Sequence, residues 1–156
     1  MPNPIQTIKA GFRLRAMPLA ADYRPLYKIG QIILILRLCS HGERASLNKL
    51  HFLINAIKSS RNILAIRRAL ELNDVSRISS WGAEPALNKA LKLGVAEGLF
   101  SLHEDKYTLS DSGKTLGEKI EADESVFAQE KELLHFMGKK TITEAFIKDL
   151  TNKMTT

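Results

Sequence analysis

The chain has 156 residues, 44% hydrophobic and 26% charged, a length that suits one domain with helical additions and is too short for two ordinary domains. A single cysteine, Cys39, excludes an intrachain disulfide and a cysteine-built zinc cage, as a reducing cytoplasm leads one to expect. The net charge of +6 is uneven: residues 1–82 hold 13 Lys or Arg against 4 Asp or Glu, and residues 83–156 hold 10 against 13, a polarity that suits an anionic surface on one side and a different partner on the other.

Residues 1–23 are basic and acid-poor without a continuous apolar stretch, and are expected to form an N-terminal arm rather than a targeting segment. Pro25 suits the first turn of a helix in which Ile29, Ile32, Ile33, Leu36 and Cys39 give a broad apolar face, ended by His41-Gly42. Its densest run, Ile32 to Leu36, falls far short of the ~20 residues that cross a bilayer. Ser46 is the expected N-cap of a second helix, with Leu47, Leu50, Ile54 and Ile57 inward and Asn48, Lys49, Asn55 and Lys58 outward.

After Ser59-Ser60 a third helix turns Ile63, Ile66 and Leu70 inward. Its polar side holds Arg61, Arg67 and Arg68, with Glu71 at i+4 from Arg67. The segment VSRIS, residues 75–79, alternates apolar and polar residues as a short edge strand does. Following the WGAEP turn, Pro85 opens a fourth helix with Leu87, Leu91 and Val95 on one stripe and Asn88, Lys89 and Lys92 on another face.

LFSLH and KYTLS read as a hairpin turning at Glu104-Asp105, and Ser110 or Asp111 caps a helix carrying Leu116 and Ile120. Phe127, Leu134 and Met137 then share a helical face that stops at Gly138. Thr141 to Glu144 has the spacing of a capping box for a last helix with Phe146, Ile147, Leu150 and Met154.

Helix, helix, helix, two-stranded ribbon and closing helix is the order of a winged-helix domain with one inserted helix. The expected fold is therefore mainly α: a winged-helix domain over residues 24–123 with a small β wing, and a C-terminal helical extension over residues 124–156. The apolar residues Phe127, Leu134, Met137, Phe146, Ile147 and Leu150 of that extension exceed what a small wing covers. They pack back on the domain, join a second copy or hold a partner.

Catalytic signatures do not emerge. The GKT within SDSGKT lacks the upstream glycine of a phosphate loop and suits a helix cap. His41 and His51 flank a turn near Cys39 in unequal settings, and turn or helix-surface roles fit them better than catalysis. The acidic residues between 118 and 132 alternate with lysines, as on a solvated helix. No enzyme, cofactor or metal is expected.

Nucleic-acid contact fits the charge better. A winged helix places one helix in the major groove, which here offers Asn88, Lys89 and Lys92, while Arg61, Arg67, Arg68 and Arg77 suit phosphate without reading sequence. Two lysines and an asparagine are a weak base-reading set, and the wing tip HEDK carries two acids, so nonspecific double-stranded DNA is the expected target rather than an operator.

Taken together, RPLYKIGQIILILRLCSHGERASLNKLHFLINAIKS, EPALNKALKLGVAEGLF, YTLSDSG and FMGKKTITEAFIKDL resemble the middle component of bacterial ABC-three-component systems, with the small subunit of Lamassu-type defence complexes as the nearest kind. The resemblance covers roughly residues 24–150 and rests on the joint order of these segments rather than on a catalytic signature. It implies a noncatalytic subunit joining an SMC or Rad50-like ATPase to an effector nuclease in antiphage or antiplasmid defence, in the cytoplasm and with no membrane partner. The competing class is a homodimeric winged-helix transcription regulator, which a palindromic operator would favour.

Overall fold

The computed structural model describes residues 24–155, so the arm expected over residues 1–23 lies outside the described residues. The first helix, α1 (Pro25–Cys39), has Ile29 and every residue from Ile32 to Leu36 fully shielded. A helix apolar nearly all round belongs at the centre of a fold, and three later helices, Pro85–Ala96, Asp111–Ala122 and Ala128–Thr141, all pack on it.

A short 3-10 turn (His41–Glu43) leads from α1 into β1 (Arg44–Ser46) and α2 (Leu47–Ala56). Gly42 sits there at φ 65°, a left-handed conformation that glycine adopts without steric cost. Ser46 caps α2 as expected, its Oγ accepting from the Lys49 N–H at 3.2 Å. Ser59 does the same for α3 (Ser60–Glu71), accepting from the Asn62 N–H at 3.1 Å.

The strand expected over VSRIS is instead a 3-10 turn, Val75–Arg77. The Asp74 carboxylate takes the Ser76 N–H at 3.2 Å and the Ser76 hydroxyl at 2.5 Å, and such a local side-chain bond draws the backbone away from a strand. The next helix, α4 (Pro85–Ala96), precedes β2 (Phe100–His103) and β3 (Lys106–Leu109). Glu104 and Asp105 at the hairpin turn both have positive φ, 51° and 64°, which matches the right-handed twist of the flanking strands. The three strands form one antiparallel sheet in the order β1-β3-β2, with Ala45 opposite Tyr107 and Phe100 opposite Leu109.

Of the two expected caps for α5 (Asp111–Ala122), Ser110 is the one used, accepting from the Gly113 N–H at 3.1 Å. A Cβ at Gly117 would collide with Arg37 and Ile33 of α1, so the missing side chain sets how closely α5 crosses the central helix. Beyond it lie α6 (Ala128–Thr141) and α7 (Glu144–Thr155). The capping box expected at Thr141 to Glu144 does not form: Thr143 accepts the Phe146 N–H at 3.0 Å, and Glu144 reaches across to Ser46.

Candidate nucleic-acid and partner surfaces

On α4, burial of Leu87, Ala90 and Leu91 fixes the roll of the helix, and Asn88, Lys89 and Lys92 consequently form one exposed stripe. Val95, expected on the inner stripe, is 40% exposed and extends the outer one. Gly94 takes its place at the packed surface, where a Cβ would strike the Phe100 ring. Lys89 and Lys92 pair with no carboxylate among the described residues. At the end of the β2–β3 hairpin, His103, Glu104 and Asp105 are exposed, a tip with two carboxylates.

The expected phosphate-binding arginines separate into two kinds. Arg61 and Arg68 are exposed on α3, and neither guanidinium has a partner among the described residues. Arg67 turns to α6, 3.5 Å from the Glu132 carboxylate and 4.5 Å above the Phe136 ring, rather than to Glu71. Arg77 pairs with Asp74 at 3.3 Å, whose carboxyl is held below its ordinary pKa first by the Ser76 hydroxyl and also by Arg77.

The apolar residues of the extension lie inside this chain. Leu134 is fully shielded, and Phe127, Met137, Ile147 and Leu150 are buried in the main core. The Phe127 ring packs 4.8 Å from Tyr27 of α1, and the half-buried Phe146 lies 6.3 Å from Phe52 of α2. These six side chains hold α6 and α7 to the helices before them, because α1 and α2 need apolar cover on the faces that the sheet leaves bare. Five of the six are thus used in this chain's own core, and Phe146 is half-buried.

Polar groups under the sheet complete this closure. Glu144 accepts the Ser46 N–H at 3.0 Å and the Ser46 hydroxyl at 2.6 Å, tying α7 to the start of α2. Lys49, expected outward, is 2% exposed and donates through Nζ to the Cys39 carbonyl at 2.7 Å. Burial lowers its pKa, opposed by the Glu144 carboxylate. Burial also pushes the Cys39 thiol up to about 12 against the pull of Lys49, and the thiol donates to the Leu134 carbonyl at 3.3 Å. Such a thiol is structural.

His51 is buried rather than on the helix surface, at 8% exposure, and its Nδ1 accepts the Glu84 N–H at 3.2 Å. Burial lowers its pKa, with the Glu84 carboxylate opposing. It lines a cleft of ≈ 450 Å³ with Leu47, Trp81 and Met154. Ser80 and Thr151 also line it, and the described residues contain no cluster of metal-ligating side chains. No described helix is long and apolar enough to cross a membrane.

No family model, curated protein or solved structure matches the chain. The observed architecture is a mainly helical chain carrying a small three-stranded antiparallel sheet.

Proposed function

We propose that the chain is a noncatalytic winged-helix subunit that joins an SMC or Rad50-like ATPase to an effector nuclease in antiphage or antiplasmid defence, and that α4 helps it hold double-stranded DNA without reading sequence. The observation that carries the winged-helix part is the strand order β1-β3-β2, with β1 between α1 and α2 and with α4 directly before the hairpin. In such an arrangement the helix before the ribbon is the one presented to the major groove. The short stripe of Asn88, Lys89 and Lys92 and the acidic hairpin tip favour a light grip on backbone over base readout.

The assembly part is supported by the sequence resemblance. Affinity purification of the tagged chain, expressed with its neighbouring genes, tests it by mass spectrometry of stoichiometric partners. Recovery of a large coiled-coil ATPase and an effector supports the proposal. A stable homodimer without either, bound to a palindrome near its own gene, replaces it with an operator-binding regulator.

A further inference from the structure

The outer face of α3 is unlike a phosphate-binding surface. Arg61, Leu64, Ala65, Arg68 and the C-cap Leu72 fall within an arc of about 100° at 3.6 residues per turn. Leu64 is 68% exposed and Leu72 46%. Two unpaired guanidinia thus frame the bare Leu64, and the bare Leu72 lies one turn beyond Arg68. Beside them, α3 and α6 enclose a groove of ≈ 220 Å³ lined by Ile63, Leu64, Arg67, Glu132 and Leu133. The Ser60 hydroxyl, donating to Gln129 Oε1 at 2.6 Å, bridges the two helices beside this groove, and the exposed Phe136, under Arg67, adds further apolar surface.

We infer that the α3–α6 groove is the docking site for an acidic amphipathic helix of a partner subunit, which lays apolar side chains over Leu64 and its carboxylates on Arg61 and Arg68. Three features select this occupant. The leucines give DNA phosphates nothing to bind, whereas an apolar helix face removes them from water. Arg67 already pairs with Glu132, so the charge left to be met is that of Arg61 and Arg68, one turn to either side of Leu64. The groove runs between two helices, where the ridges of a third can seat. This dock rests on the reading of the chain as an assembly subunit.

The test uses the full chain coexpressed with its neighbouring genes. A photoreactive benzoylphenylalanine replaces Leu64, and the crosslinked peptide is sequenced by mass spectrometry. In parallel, Leu64→Glu and the pair Arg61→Glu and Arg68→Glu are compared with Lys89→Glu for partner retention, with melting curves confirming that each variant folds. The expected result is a crosslink to a partner helix in which carboxylates flank an apolar residue. Retention should also fall by at least about tenfold in the α3 variants and stay unchanged in Lys89→Glu.

A complex retained in full by the α3 variants overturns the dock and leaves the assembly reading standing. Failure of the unsubstituted chain to recover any partner removes the assembly reading and the dock with it. A crosslink to a second copy of this chain overturns the dock in favour of self-association. Loss of DNA affinity with the complex intact overturns it in favour of phosphate contact.

Discussion

Truncating Leu134 to alanine separates a core role for α6 from a docking role. The side chain is fully shielded, so Leu134→Ala removes three carbon groups from the interior at about 0.8 kcal/mol each, or roughly 2.4 kcal/mol. If about 50 Å³ of the vacated space fails to close, the cavity adds roughly 1.2 kcal/mol at about 24 cal/mol per Å³. The expected loss is therefore about 3.5 kcal/mol in the isolated chain, with no partner present. Urea unfolding followed by far-ultraviolet circular dichroism reads it as a fall in midpoint of roughly 1.7 M for a slope near 2 kcal/mol per M. The control is Leu64→Ala, which at 68% exposure should cost less than about 0.5 kcal/mol. A Leu134→Ala loss below about 1 kcal/mol would refute the packing of α6 on α1.

The other expectations concern polar groups. Glu144→Gln removes the charge from two hydrogen bonds to Ser46 and should cost about 1–2 kcal/mol in the same unfolding assay; an unchanged midpoint would mean that α7 is held by apolar contacts alone. Because burial lowers the folded-state pKa of His51 below its ordinary value, the unfolded chain binds a proton that the folded chain refuses. The stability it contributes is complete above about pH 6.5 and declines as pH falls through that value toward the folded pKa. His51→Gln should remove that portion of the acid sensitivity, and superimposable pH profiles would dismiss it. With its pKa raised to about 12, Cys39 should resist thiol reagents at pH 8 in the native chain and react at the rate of unfolding; immediate labelling would place it at the surface. Finally, Lys89→Ala with Lys92→Ala should reduce the slope of log affinity against log salt by about 1.8 on duplex DNA, and an unaltered slope would exclude α4 from the contact.

The elements legible in the sequence were those whose periodicity a local cause enforces. Proline at the starts of α1 and α4, serine caps at α2 and α5 and the paired short strands all act within a few residues of themselves. The strand β1 was not legible, because Arg44, Ala45 and Ser46 carry no pattern of their own and become extended by pairing with β3. VSRIS had the alternation of a strand, but the Asp74 side chain supplies a turn that alternation does not register.

Among the surface residues, the outward set on α4 followed from spacing. The partner of Arg67 did not, since i+4 spacing finds Glu71 and knows nothing of α6 lying alongside. Lys49 and His51 looked like surface residues because their types usually are. Only the arrival of α7 and of the loop before α4 buries them. Leu64 stood between Ile63 and Ile66 in a string of apolar letters, and its exposure emerges from the roll of α3.

The bond from Glu144 to Ser46 spans 98 residues, and that separation bears on how the chain is made. At ribosomal speeds of about 5–20 residues per second, the serine waits roughly 5–20 s for the carboxylate that completes its cap. During the same interval α1, apolar on nearly every side, has emerged while α4, α5 and α6 have yet to cover it. The most insoluble part of the molecule is thus synthesised before its cover. Nascent chains should engage a holding chaperone until the last third is complete, and chains stalled before α6 should precipitate.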